Sequence, residues 1–220
     1  MNWTLYVKIF CLSGYSLMAS ICFSQKHDWN FSINSSPAIS WATVSGDIKP
    51  DGAGFSFDFS VYAEKYFKKH IAYYIGASFS QLSGKLKNVS TGDISFKSGN
   101  LNLHTAQSAK YSIQYLTVPI GIKLQTRQYG HFFYYCRGGL MPGVRISGSM
   151  VENGNKHALS KDLNLMTCAV QLSSGLLYPA GKDTFLNAGI IFGHFFTDTF
   201  SASNMSVLPF FTGLQVGFMF

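Results

Sequence analysis

Eight charged or amide side chains lie at alternate positions in segments whose other residues are apolar or small. Successive side chains of an extended chain point to opposite faces, so these groups would share one face of a β-sheet. Enclosed together, they would form an internal salt-bridge network, because buried charges are tolerated only when they are paired. A narrow ion path or gate is the alternative use of the same groups. The eight residues are Asp58, Glu64, Lys123, Arg137, Arg145, Gln171, Asn187 and Gln215.

The other residue types that could do chemistry form no recognisable catalytic or metal-binding motif. The six His residues are scattered, and no pair has the spacing of metal ligands. The chain contains no P-loop, no dinucleotide-binding glycine motif, no nucleophile elbow and no CxxC pair. A weak alternative is a lipid-modifying enzyme that uses His194 on the lipid-facing side, with Ser201, Ser203 and Asp198 in the next loop. We therefore expect no enzyme, no metal and no cofactor.

The composition favours a lipid environment. Only 12% of the 220 residues are charged, and the chain holds 20 Phe, 12 Tyr and 21 Gly, whereas soluble domains carry roughly 25% charged residues. Disordered chains are poor in aromatic residues, and four Cys are too few for a disulfide-dense scaffold. The net charge of +7 suits anionic lipid headgroups and lipopolysaccharide phosphates. We do not expect a nucleic-acid partner.

Residues 1–24 have the layout of a secretory signal peptide. Lys8 precedes an apolar run from Ile9 to Phe23, and small residues stand at Cys22 and Ser24, just before the expected cleavage. A transmembrane anchor is the alternative, although the run is short for a span and is interrupted by Ser and Gly. The predicted organisation is a signal peptide over 1–24 and one exported domain over 25–220.

About eight later segments alternate with a period of two, which is typical of strands with two different faces. They lie near 29–45, 53–62, 70–84, 116–125, 132–146, 166–173, 186–193 and 210–220. Eight strands make the smallest usual transmembrane barrel, whose interior side chains can fill. A secreted soluble barrel or sandwich is the alternative, but it would need a polar outer face, and here one face is apolar and the other is small and sparsely charged.

The connections between these segments alternate in length. Residues 64–69, 127–130 and 179–183 form short connections, and 46–52, 85–110, 147–162 and 197–209 form long ones. Outer-membrane barrels have short periplasmic turns and longer external loops. The predicted fold is therefore all-β, an eight-stranded antiparallel transmembrane β-barrel with short periplasmic turns and longer external loops.

One segment resembles a known family. Tyr115-Leu116-Thr117-Val118-Pro119-Ile120-Gly121-Ile122-Lys123 is similar to a strand of the Bacteroidota outer-membrane β-barrel family, the porin-like or PorT-like group, which commonly reads Tyr-Leu-x-Ile-Pro-Leu-x-x-Lys. The matching positions are Tyr115, Leu116, Pro119 and Lys123. The apolar last strand, with Phe218 and Phe220, is similar to the signal that the outer-membrane assembly machinery reads.

The resemblance implies a place in the bacterial outer membrane and a structural or accessory role in a type IX-like secretion system or another envelope assembly. The expected partners are outer-membrane lipid and lipopolysaccharide, the outer-membrane assembly machinery, and a protein of that secretion or envelope assembly. A narrow porin-like channel for ions or small solutes is the alternative function, and a lipid-modifying enzyme is a distant third.

Overall fold

The computed structural model describes residues 29–46, 48–89, 94–95, 102–103, 108–152, 155–159, 163–200 and 205–220. The predicted signal peptide lies outside these residues. Within them, no helix is both long and apolar enough to cross a membrane. The strands are β1 (Trp29–Gly46), β2 (Ile48–Lys68), β3 (Ile71–Asn88), β4 (Ile94–Ser95), β5 (Asn102–Leu103), β6 (Ser108–Thr117), β7 (Ile120–Gln125), β8 (Phe133–Glu152), β9 (Asn155–Ala158), β10 (Met166–Pro179), β11 (Phe185–Phe195) and β12 (Met205–Met219).

Antiparallel strands form a closed ring with eight positions, each called a wall below. The walls follow in the order β1, β2, β3, β6 together with β7, β8, β10, β11 and β12. The β6–β7 wall is interrupted at Val118 and Pro119 because proline has no N–H to donate to a neighbouring strand. Its neighbours still bond across the gap: Val118 N donates to Pro142 O at 2.8 Å, and Gly76 N donates to Pro119 O at 2.9 Å. The predicted eight-stranded antiparallel barrel is confirmed.

The first and last walls close the ring. β12 pairs with β1 along most of its length, with Phe218 opposite Ile33. At the end of this seam Phe31 and Phe220 exchange two backbone hydrogen bonds of 2.7 and 2.8 Å. A closed ring leaves no unpaired strand edge in the hydrocarbon, where an unpaired N–H or C=O group costs several kcal/mol.

The outer face of the ring is an apolar belt. Along β6 and β7 the outward side chains Leu116, Val118, Ile120, Ile122 and Leu124 are all exposed. Aromatic residues gather at the end with the short turns, as expected for a membrane interface; those exposed there are Phe67, Tyr73, Tyr129, Phe132 and Tyr178. Tyr66, at the same end, is half-buried and donates a hydrogen bond to Gln125.

The external connections are the longer ones, but much of their length is strand. β2 has 21 residues and β8 has 20, although a tilted strand crosses a bilayer with about 9–11. Residues 46–52, which the sequence predicted as a loop, mostly belong to the β1–β2 hairpin, and much of 147–162 belongs to the β8–β9 hairpin. Above the apolar belt the outward side chains become polar, so the alternation that marks a strand disappears from the sequence.

The interior is layered. The external half is filled by an apolar core that includes Leu82, Ile113, Met141, Ile191 and Phe211. A smaller cluster of Tyr135, Leu177 and Met219 lies toward the periplasmic end. Between these two layers the buried side chains are mostly charged, amide, hydroxyl and tyrosine groups. This polar band contains the groups that could do chemistry.

Candidate functional site: a buried charge cluster

One carboxylate holds two cations in the polar band. Lys123 Nζ donates to Glu64 Oε2 at 2.5 Å, and Arg137 Nη2 donates to Glu64 Oε1 at 2.5 Å. Each oxygen therefore takes one cation, in the short geometry of a charge-assisted hydrogen bond. Glu64, Lys123 and Arg137 are called the charge cluster below.

The strand pairing explains how three strands supply this cluster. Lys123 of β7 lies directly opposite Arg137 of β8, so both cations point inward side by side. Glu64 is on β2, and β3 lies between β2 and β7. The residue of β3 opposite Lys123 is the small Ala72, which leaves Lys123 free to extend toward the carboxylate.

The charge cluster is sealed from solvent. The relative exposure is 0% for Glu64, 0% for Lys123 and 2% for Arg137. Removal of these charges from water costs several kcal/mol per ion, and the cost is recovered only through well-formed pairing and hydrogen bonds. The carboxylate is therefore the element on which both cations depend.

Tyrosine rings surround the two cations. The guanidinium carbon of Arg137 is 4.3 Å from the Tyr62 ring centroid, 5.3 Å from that of Tyr74 and 5.6 Å from that of Tyr135. Lys123 Nζ is 5.6 Å from the Tyr135 centroid and 6.0 Å from that of Tyr66. Rings within about 6 Å attract a cation through their π faces, most strongly when water is excluded.

The three predicted amide residues lie in the same band. Tyr62 Oη donates to Gln171 Oε1 at 3.2 Å, and Tyr135 Oη donates to Gln215 Oε1 at 3.1 Å. Asn187 Nδ2 donates to Asn34 Oδ1 at 2.6 Å. Two of the amides are thus joined to the charge cluster through the tyrosines that contact Arg137.

The remaining two predicted residues lie apart from the charge cluster. Asp58 is buried and accepts hydrogen bonds from Ser78 Oγ at 2.5 Å and Ser80 Oγ at 2.6 Å. Arg145 is half-buried farther toward the external end, where its Nε donates to Asn164 O at 3.3 Å. Of the five predicted charged residues, the structure brings together Glu64, Lys123 and Arg137.

The four motif positions have distinct places in the fold. Tyr115 is buried with its ring centroid 5.1 Å from that of Phe195, and Leu116 points outward into the apolar belt. Pro119 separates β6 from β7, and Lys123 belongs to the charge cluster. Each of these residue types therefore has a local structural reason.

Sequence reasoning missed the inward tyrosines. Tyr62 follows the same alternation as Glu64, and Tyr135 the same as Arg137, so spacing alone could have found them. Glycines on nearby strands make room for the hydroxyl ends. A Cβ on Gly139 would lie 2.5 Å from Tyr74 Oη, and one on Gly189 would lie 2.8 Å from Tyr135 Oη.

The other candidate chemistry is dispersed. In the described part of the chain no group of three or more His, Cys, Asp and Glu side chains could hold a metal ion. The His194 ring lies 6.2 Å from Phe210, and Asp198 accepts a hydrogen bond from Ser206 Oγ. Cys136 and Cys168 are free thiols. Ser201 and Ser203 lie outside the described residues.

Several solved structures trace a similar path of the chain. Neisserial surface protein A is 10% identical, with a TM-score of 0.49, covering 88% of this chain and 96% of that one. OprG of Pseudomonas aeruginosa is 13% identical, with a TM-score of 0.47, covering 86% and 94%. Ail of Yersinia pestis is 14% identical, with a TM-score of 0.39, covering 87% and 98%. Likenesses at this level carry no information about function.

The family assignment comes from the sequence match. No curated protein matches the chain. A family model described as an outer membrane protein beta-barrel domain matches residues 23–219, which include all eight walls of the ring. The chain therefore belongs to the outer membrane protein beta-barrel domain family, whose place is the bacterial outer membrane.

Proposed function

We propose that this outer-membrane barrel is closed to solutes and has a structural or accessory role in a secretion system or another envelope assembly. The observation that carries the proposal is that the charge cluster in the middle of the lumen is inaccessible to solvent. A barrel that conducts needs water beside its charged groups, because an ion in transit must remain solvated or coordinated.

The whole polar band supports a closed lumen. A continuous water path would leave accessible surface on the side chains that line it. Around the charge cluster, Tyr62 and Gln215 are 0% exposed, Gln171 is 1% and Asn187 is 3%. The apolar layers on both sides of the band lengthen the barrier. The interior therefore serves as a rigid support, and the working surfaces are on the outside.

The external hairpins are the surfaces best suited to a partner. Long connections between strands commonly carry binding function, and here β2, β3, β6 and β8 continue well beyond the apolar belt. The PorT-like motif at Tyr115–Lys123 favours a type IX-like secretion assembly as the setting. We further propose export by a signal peptide over residues 1–24, which N-terminal sequencing of the mature protein at Gln25 would test.

A non-enzymatic role is part of the proposal. Lipid modification by His194 would need an oriented imidazole with a hydroxyl nucleophile and a carboxylate nearby. The His194 ring instead packs near Phe210, and the Asp198 carboxylate is engaged by Ser206. An altered acyl pattern of lipid A after deletion of the gene would contradict this view.

Quantitative co-purification tests the accessory role. A tagged copy expressed at native level is recovered from mildly solubilised outer membranes, with an unrelated tagged barrel of similar abundance as the control. The proposal predicts a secretion or envelope protein in near-equal amount with this barrel and absent from the control.

Two results would contradict the accessory role. The first is recovery of the barrel alone under conditions that keep a known envelope complex intact. The second is uptake of small solutes that depends on the barrel, since this would favour the channel.

A further inference from the structure

Five lysines form one outward-facing group above the apolar belt. Lys49 lies directly opposite Lys87, Lys85 lies directly opposite Lys110, and Val151 stands between Lys110 and Lys156 in register. The intervening residues Leu86, Ala109 and Met150 are buried in the interior, so the lysines point to the other side. These five residues are called the lysine rim: Lys49, Lys85, Lys87, Lys110 and Lys156.

Within the described residues, the lysine rim has far less negative than positive charge. Like charges directly opposite each other on neighbouring strands are destabilising, and the rim contains two such pairs. Among the described residues, no carboxylate oxygen lies within ion-pair distance of these five ammonium groups. One carboxylate lies on the patch: Asp51 accepts a hydrogen bond from Ser108 Oγ at 2.6 Å, and Ser108 stands opposite Lys87 in register. The arrangement therefore favours an external anion with several negative groups.

The rim is confined to one side of the barrel. It occupies β2, β3 and β6, which pair directly in that order, and β9, which is joined to β6 through β8. On the other side, β1, β10, β11 and β12 contain no Lys or Arg. The charge is thus concentrated in one patch rather than spread around the circumference.

The height and direction of the rim identify the source of the anion. Lys110 is six positions beyond Leu116, the last exposed apolar side chain of β6. With a rise of about 3.3 Å per residue and a tilt of about 40°, Lys110 lies about 15 Å farther out than Leu116. On β2, exposed Phe55 stands three positions from Gly52, the partner of Lys85, so the rim begins close to the belt and extends outward from it. Its side chains point sideways, so they reach the headgroup layer beside the barrel.

We propose that the lysine rim binds phosphate groups on the saccharide headgroup of the glycolipid in the outer leaflet. A layer of phosphorylated sugar spans the heights from the edge of the belt to Lys110, whereas a simple phospholipid headgroup region, roughly 5–8 Å thick, would end below Lys110. A lysine ammonium is a point charge on a flexible stem, so two or more lysines can approach one cluster of phosphates without a fixed arrangement of hydrogen bonds. The site would fix the orientation of the barrel relative to its lipid neighbours.

Binding to purified glycolipid tests the proposal. The full barrel in phosphatidylcholine nanodiscs is titrated with rough-type lipopolysaccharide and, separately, with the same material after its phosphates are removed. Because a surface lysine contributes about 1 kcal/mol to attraction by an anionic layer, Lys85→Gln with Lys110→Gln should weaken binding roughly tenfold or more. The matched control, Lys68→Gln with Lys182→Gln, changes two exposed lysines at the periplasmic end and should bind as the unmodified chain does.

Three outcomes would overturn the proposal. Equal binding of the dephosphorylated glycolipid would exclude phosphate recognition. Unchanged affinity in the Lys85 and Lys110 variant, with its heat-modifiable gel shift intact, would exclude the rim. Binding of soluble inorganic polyphosphate without binding of lipopolysaccharide would assign the patch to a free polyanion instead of the membrane.

Discussion

The two halves of the barrel wall differ completely in charge. The strands β10, β11, β12 and β1, which are consecutive in the ring, contain no Lys, Arg, Asp or Glu. The strands β2, β3, β6, β7, β8 and β9 contain all the charged residues of the described strands. Both halves present an apolar belt to lipid, so the difference concerns the interior and the external edge.

This difference shows how a narrow barrel tolerates internal charge. A carboxylate must touch its cations directly, so Glu64, Lys123 and Arg137 come from neighbouring walls of one half. The uncharged half supplies amides such as Gln171 and Gln215, which complete the tyrosine hydrogen bonds without adding charge. If this division is correct, changes in the charged half should be the more damaging ones.

The largest expected effect comes from Glu64→Gln. This change leaves Lys123 and Arg137 buried without a carboxylate partner in the charge cluster, so we expect a loss of about 3–5 kcal/mol in the free energy of unfolding. Urea unfolding in lipid vesicles measures the loss. The comparison is Gln215→Leu in the uncharged half, where the lost hydrogen bond to Tyr135 should cost about 1–2 kcal/mol. Equal losses in the two variants would contradict the division.

Arg137→Met should have the next largest effect. The Glu64–Lys123 pair remains, and the methionine still packs against the tyrosines, so we expect a loss of about 2–4 kcal/mol, seen as a lower unfolding temperature. Uptake of a small solute by cells that carry the variant should be unchanged, because the apolar layers remain. Increased uptake at unchanged stability would indicate that Arg137 is a gate.

Gly189→Ala tests the uncharged half by overpacking. The added methyl would crowd Tyr135 Oη and the backbone of Ser174, and we expect destabilisation of about 1–3 kcal/mol. Gly181→Ala is the control, since its Cβ would lie 3.7 Å from the nearest atom, Thr184 Cβ. Loss of the same size in both variants would mean that the fit between tyrosine and glycine has no special role.

The smallest expected effect is a gain in the free energy of unfolding. In phosphatidylcholine vesicles without glycolipid, Lys85→Gln removes the repulsion with Lys110 and should stabilise the barrel by about 0.2–1 kcal/mol at low salt. Salt screens exposed charges, so the gain should vanish at high ionic strength. Lys68→Gln should have no comparable effect. Destabilisation by Lys85→Gln in these vesicles would show that the lysine rim is neutralised within the chain.

The fold could be predicted from sequence because alternation is a local property. Each segment has its own apolar face, so it can be recognised as a strand without information about the other segments. The pairing register is not local, so the meeting of Glu64 with both Lys123 and Arg137, and not with Arg145, could not be predicted. Lys85 and Lys110 fell in a predicted loop because the outward face above the belt is polar, which removes the alternation.

Planar bilayer recording tests the central claim, a closed lumen, most directly. Purified barrel reconstituted at single-molecule density should give no unitary current steps in potassium chloride, since water is excluded from the charge cluster and from the apolar layers on either side. Reproducible, ion-selective steps that change in size with Arg137→Met would contradict the account, because they would show that ions pass beside that guanidinium.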